Sequence, residues 1–166
     1  MKHRAQILAY SGTFVALIAA GSWISVPLPP VPLTLQTLFV LLAGVVMKRY
    51  AVIPVALYVL LGAMSLPIFH NGTAGLGVLL GPTGGFLIGF IPAALITGLA
   101  YEHESSKYRA AGLITACMTY LSAGVIWLSY SASISVLQAI LIGVAPFLIG
   151  DTLKALAAYT IGKRMT

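Results

Sequence analysis

Charge is what this chain has least of. Three of its 166 residues are acidic and nine are lysine or arginine, so 7% are charged, where a soluble domain carries about 25%. That shortage excludes an ordinary water-soluble globule. Cysteine is nearly absent too. Cys117 has no partner in the chain, which excludes an internal disulfide and leaves the thiol to packing. His3, His70 and His103 are scattered, and no set of histidine, cysteine and carboxylate has metal-ligand spacing. Neither a metal nor a cofactor is expected. The apolar stretches are continuous rather than alternating, which argues against an outer-membrane barrel. Nucleotide motifs are missing as well. Gly75–Gly81 lacks the Gly-x-Gly-x-x-Gly spacing, and no Lys-Ser/Thr follows the glycines at 81–85. The basic residues form no cluster on a soluble face, so the net charge of +6 does not imply nucleic acid.

What is present is hydrocarbon. The chain is 60% hydrophobic, with a mean hydropathy of +1.02. A helix needs about 20 apolar residues to cross a hydrocarbon core of about 30 Å. Six candidate spans fit, over residues 5–25, 33–47, 51–66, 83–101, 110–130 and 147–161. The prolines at 27, 29, 30 and 32 end the first, and Pro146 separates a short outer segment, 136–144, from the last. The basic start at Lys2 and Arg4 leads into a long apolar run without a clear cleavage site, read as an uncleaved first span. Lys48, Arg49, Lys107, Arg109, Lys163 and Arg164 then all fall on the same side as Lys2 and Arg4. The positive-inside rule makes that side cytoplasmic, with both termini on it. The expected fold is therefore all-α and polytopic, one domain over 1–166 in the cell membrane, with six transmembrane helices. Glu102 and Glu104 are expected in a solvated cytoplasmic turn.

Against this background two residues stand out. Asp151 and Lys154 lie three apart in the last span, where an ionisable group costs about 2.5–3.5 kcal/mol and commonly marks a ligand path or a partner. They read either as a structural ion pair or as a ligand contact. Thr34 and Gln36, at the outer end of the second span, read either as helix-start caps or as inward-facing ligand groups. Asn71 precedes Gly72, a strong turn signal, and also offers a donor and an acceptor. It opens a loop with glycine at 72, 75, 77, 81, 84 and 85, and that loop is expected to fold over the outer mouth of the bundle. Ala16 and Ala20 form a small-xxx-small pair, suited to ordinary helix packing or to docking a partner.

Three separated blocks, VPLPPVPLTLQTLFVLLAG (26–44), GLGVLLGPTGGFLIGF (75–90) and GVAPFLIGDTLKALAA (143–158), resemble the BioY biotin transporters, the substrate-binding (S) components of energy-coupling-factor (ECF) transporters. The resemblance implies an S-component-like bundle in a prokaryotic cytoplasmic membrane. It implies biotin as a transported substrate, captured from the outer side. Asp151 and Lys154 correspond to the family's biotin contacts, and Asn71 to a polar loop residue. Thr34, Gln36, Gly75 and Gly77 join them as candidate substrate contacts, and Trp23, Tyr58 or Phe69 could pack on the ring. Ala16 and Ala20 correspond to a docking face for the transmembrane coupling protein, with two ABC-type ATPases completing the transporter. Uptake then needs those ATPases or self-association into a homo-oligomer. An S component for riboflavin or thiamine is the first alternative, and an intramembrane enzyme using Asp151 the second. A purely structural subunit is the third.

Overall fold

The computed structural model describes residues 2–165, with side chains described from Arg4 onward. Met1 and Thr166, the ends of the expected domain, lie outside the described residues, as do the side chains of Lys2 and His3. The chain is a helical bundle. In order come α1 (Lys2–Trp23), β1 (Ser25–Val26), β2 (Leu33–Thr34), α2 (Gln36–Met47), α3 (Val52–Ala63), α4 (Leu76–Leu80), α5 (Gly84–Ala100), α6 (Ser106–Ser131), α7 (Val136–Gly143) and α8 (Phe147–Arg164).

The helices run back and forth between two ends. One end carries the prolines and the glycine-rich loop; the other carries the basic residues. At the loop end, Leu35 donates its N–H to Gly21 at 3.0 Å, and the Ser22 hydroxyl donates to the Ile68 carbonyl at 2.7 Å. The start of α2 and the stretch after α3 therefore meet the same end of α1. At the basic end, Arg49 grips Glu102 through Nε, at 2.6 Å from Oε1. Its Nη2 reaches Oε2 at 2.5 Å. This charge-assisted fork holds the Glu102 carboxyl below the usual range. The stretch 36–63 is long and apolar enough to cross a membrane as one piece, but these contacts show it folded back on itself. Lys48 makes the turn, in left-handed backbone with φ 55°.

Differences from expectation are local. The bundle is helical as expected, with one small addition: β1 and β2, two residues each, form an antiparallel pair with Ser25 opposite Thr34 and Val26 opposite Leu33. Proline at 27, 29, 30 and 32 denies this segment helical hydrogen bonds, so the chain turns back on itself instead. α2 consequently begins at Gln36 rather than at 33. α3 stops at Ala63 rather than at 66, because Ser65 adopts φ 72°. α6 begins earlier than expected, at Ser106. A capping box starts α7, where Ser135 accepts from the Gln138 N–H and the Gln138 side chain accepts from the Ser135 N–H. α7 and α8 meet at 54° across the turn that contains Pro146.

Helices α5 and α6 pack closest, through glycine. A Cβ on Gly89 would come within 2.9 Å of the Tyr120 backbone, and one on Gly124 would strike the Phe86 ring. Both Tyr120 and Phe86 line the cavity described next, so these contacts set its wall. The exterior is apolar, with Leu8, Ile114, Met118, Ile126, Ile149 and Leu153 all exposed. Helices over 4–23 and 106–131 are also long and apolar enough to span a bilayer.

Candidate binding site

Beneath the loop end lies a cavity of about 40 Å³. Its apolar wall is Phe86, Leu87 and Phe90 from α5, Leu121 from α6 and Phe147 from α8. Its polar wall is Thr34, Gln36, Thr37, Tyr120, Asp151 and Lys154, with His70 and Thr83 from the loop. Six separate segments thus converge on one small space.

Asp151 and Lys154 are 3% and 6% exposed and form an ion pair of 2.9 Å. Their i, i+3 spacing on α8 places them side by side. Lys154 Nζ also donates to the Thr34 carbonyl at 2.6 Å and to Thr37 Oγ1 at 3.0 Å. Asp151 Oδ1 accepts from the Thr37 hydroxyl at 3.2 Å, and Oδ2 accepts from the Tyr120 hydroxyl at 2.7 Å. An ammonium has three hydrogens to give, and all three of Lys154's are used. A carboxylate has about four acceptor positions, and Asp151 has filled three. The cluster is thus nearly closed, with one acceptor position left on Asp151 Oδ2.

Among the described residues, two of those that line the cavity each carry a buried nitrogen without a partner. Gln36 Nε2 and His70 Nδ1 are both buried without a hydrogen bond. Gln36 as a whole is 4% exposed. Burial of the His70 ring pushes its pKa below the ordinary imidazole value. An orphaned buried donor costs about 1–3 kcal/mol, which ordinary packing gives no reason to retain.

The structure brings Thr34, Gln36, Asp151 and Lys154 together and leaves the other candidates outside the cavity wall. Asn71 is exposed with φ 55°, and its Oδ1 accepts from the Ser25 hydroxyl at 2.7 Å, tying the loop to β1. Gly75, at φ 92°, donates its N–H to the Gly62 carbonyl at 2.7 Å. That turn geometry favours glycine for its own sake. Gly77 has open space around it. Thr34 also performs the capping role, its Oγ1 accepting from the Gln36 N–H at 3.3 Å. Trp23 is exposed, while Tyr58 and Phe69 pack edge to face in the core with ring centres 5.5 Å apart. Ala16 and Ala20 face outward, on the side of α1 opposite the buried Phe14 and Ile18.

Thr37, His70 and Tyr120 were not among the candidates read from sequence. Thr37 was findable as a further polar residue in the first turn of the same apolar helix as Gln36. Tyr120 has no local signal, being one aromatic among apolar residues. His70 was hidden by the stronger turn signal of Asn71–Gly72. A larger hollow, about 490 Å³, opens on the exterior between α6 and α8 and reaches Asp151 and Leu121 from behind. Its walls are mostly apolar, including Ile114, Met118, Leu148 and Leu156.

Comparison with known proteins gives one consistent result. The family model described as "BioY family" matches residues 1–166. A "Biotin transporter BioY" of Thermotoga maritima is 44% identical over 161 residues, covering 95% of this chain and 94% of the relative. A "Probable biotin transporter BioY" of Pyrococcus horikoshii is 35% identical, covering 98% and 97%. Among solved structures, the S-component for biotin from an ECF-type ABC transporter superposes with a TM-score of 0.89 at 25% identity. The match covers 99% of this chain and 92% of that one.

Proposed function

The chain belongs to the BioY family, and from that premise we propose that it captures biotin at the outer face of a prokaryotic cytoplasmic membrane, as the S component of an ECF-type transporter. The observation that carries this reading is the nearly closed polar cluster around Asp151 in an otherwise apolar cavity with three phenylalanines in its wall. Biotin is a fused apolar ring system with a ureido group, two N–H donors and one carbonyl, and an anionic valerate tail. The free acceptor position on Asp151 suits a ureido N–H, strengthened by the acceptor's charge. Phe86, Phe90 and Phe147 offer apolar surface for the rings. Lys154 acts through Asp151, whose Oδ1 its Nζ holds at 2.9 Å.

The cavity of about 40 Å³ has room for a few waters at about 10–15 Å³ each. Small-molecule sites are roughly 300 Å³ or more. Capture therefore requires the loop end to open, and the 66–83 loop with the β1–β2 turn is the part to move, joined by the Ser25–Asn71 hydrogen bond. All six long passages, both termini on the cytoplasmic side, and docking of a coupling protein on Ala16 and Ala20 belong to the same reading. So do the two ABC-type ATPases, because the chain supplies no ATPase motif of its own, and the option of self-association.

Calorimetry on the purified protein in detergent, with biotin, dethiobiotin, riboflavin and thiamine, tests this reading. Selective binding of biotin supports it. Binding of riboflavin or thiamine in its place would make the chain an S component for another vitamin, and folded protein that binds none of the four would end the proposal.

A further inference from the structure

The exterior hollow between α6 and α8 measures about 490 Å³, within the roughly 300–1,000 Å³ of small-molecule sites. On α6 its wall runs from Ala110 to Leu121, and on α8 from Leu148 to Tyr159. At a rise of about 1.5 Å per residue either stretch is about 16 Å long, close to half of a hydrocarbon core of about 30 Å. The hollow is therefore one leaflet deep. Its hydroxyls are already engaged. Thr152 donates to the Leu148 carbonyl at 2.6 Å, and Tyr159 donates to Ser106 Oγ at 3.1 Å. What remains for an occupant is the apolar surface of Ile114, Met118, Leu148 and Leu156.

One end of the hollow is charged. The Tyr159–Ser106 bond ties α8 to the start of α6 at the basic end of the bundle. Lys107 stands three residues before Ala110 and Lys163 four after Tyr159, spacings that continue the two walls past that bond. Both lysines are exposed, as is Arg164. Of the three acids in the chain, Asp151 is in the buried cluster and Glu102 is in the fork with Arg49. Glu104 is the third, so cations outnumber carboxylates at this rim. An apolar slot one leaflet deep with a cationic rim matches a phospholipid with an anionic headgroup. A helix from a second copy of the chain fits less well. It would run the full depth of the bilayer, and two-fold symmetry would set the same lysines of both copies side by side.

We propose that an anionic phospholipid from the leaflet at the basic end binds between α6 and α8, with one acyl chain in the hollow and its phosphate at Lys107 and Lys163. Asp151 and Leu121 line this hollow and the inner cavity alike, so the seated chain seals the bundle wall behind the ion pair. The site needs only the membrane-spanning fold, and it stands whether or not the captured ligand is biotin.

The test follows thermal melting of the purified protein in detergent while dioleoyl-phosphatidylglycerol, which is anionic, or dioleoyl-phosphatidylcholine, which is zwitterionic, is titrated in. The acyl chains are identical, so the difference between the two reads the headgroup. Native mass spectrometry counts the lipid retained, and size-exclusion chromatography gives the oligomeric state. Phosphatidylglycerol is expected to raise the melting temperature of the wild type by roughly 5 °C at a hundredfold excess over its Kd. A lysine near an anionic headgroup contributes about fivefold in affinity. Lys107→Gln with Lys163→Gln is therefore expected to raise the half-point for phosphatidylglycerol about 25-fold and to leave that for phosphatidylcholine unchanged. Ala155→Trp, which fills the hollow, is expected to abolish the response to both lipids. If Ala155→Trp fails to fold, Met118→Trp is measured in its place, with the same reading. A wild type that both lipids stabilise at equal concentrations overturns the proposal, as does one that neither stabilises or a lysine variant with the wild-type half-point. A lipid-insensitive wild-type dimer that Ala155→Trp makes monomeric also overturns it, and gives the hollow to a second copy.

Discussion

Neutralising the buried ion pair in steps separates the structural role of Asp151 from its ligand role. Asp151→Asn leaves Lys154, 6% exposed, facing an amide in place of its counter-ion. Removing one partner of a buried pair costs about 3–5 kcal/mol, while replacing both by apolar groups is often close to neutral. The single variant should therefore melt at a distinctly lower temperature, and the double variant Asp151→Leu with Lys154→Met, apolar at both positions, should recover most of the loss. Biotin binding should follow a different course. The carboxylate acceptor is absent in both variants, and a hydrogen bond to a charged group contributes about 1.5–3 kcal/mol, or roughly 10- to 150-fold in Kd. Both variants should bind more than tenfold more weakly than the wild type. The assay is paired, with thermal unfolding followed by tryptophan fluorescence and binding measured by calorimetry in the same detergent. If the double variant regains stability and binds biotin within about threefold of the wild type, Asp151 is only a lock between helices, and the valence argument for the site fails.

Tyr120→Phe removes the donor to Asp151 Oδ2 at 2.7 Å and should weaken biotin binding several-fold with little change in the melting temperature; calorimetry decides it. Thr37→Val breaks contacts from α2 to both Asp151 and Lys154. Interhelical hydrogen bonds in membrane proteins average about 0.6 kcal/mol, so a small drop in melting temperature is expected, and a large one would show that the cluster acts as a unit. Gly124→Val drives a side chain into the Phe86 ring and should destabilise the fold and abolish binding together, read from melting and calorimetry on the same sample. Ala16→Trp or Ala20→Trp places an indole on the outward face of α1; co-purification with the coupling protein should be lost while biotin affinity stays unchanged. His70 has a pKa lowered by burial, so the unfolded chain takes up its proton first on acidification. Its contribution is complete above the unfolded value and is lost as pH falls below about 6.5. The ligand-free protein should melt earlier as pH falls from 7 to 5, and His70→Phe should flatten that slope.

The candidate site divides into parts that were legible in the sequence and parts that were not. Asp151 and Lys154 could be named because a charge in a hydrophobic run is expensive wherever the helix points. Thr34 and Gln36 could be named as polar residues at an apolar helix start. Whether they faced a ligand or merely capped the helix was open, and Thr34 proves to do the capping while also lining the cavity. Asn71 was the more conspicuous residue of its loop, yet its positive φ turns it toward Ser25 and leaves its neighbour His70 against the cavity. A one-residue difference of that kind follows from the path of the whole loop, which the Asn-Gly signal alone does not contain. The aromatic wall was also beyond reach, because Phe86, Phe90 and Phe147 are three among many apolar residues until packing selects them.

Composition and spacing by themselves determined the class of this protein: few charges call for a backbone satisfied internally, and continuous rather than alternating apolar stretches make that a helical bundle. They also determined where its basic residues collect, and that Asp151 and Lys154 need an explanation. Tertiary structure alone decided which groups surround them. Asp151 meets Thr37 across 114 positions of sequence and Tyr120 across 31, and hydrogen-bond valences are counted only once the partners are known. The spare acceptor on Asp151 and the orphaned nitrogens of Gln36 and His70 are remainders of that count, and a remainder has no signature in a linear pattern.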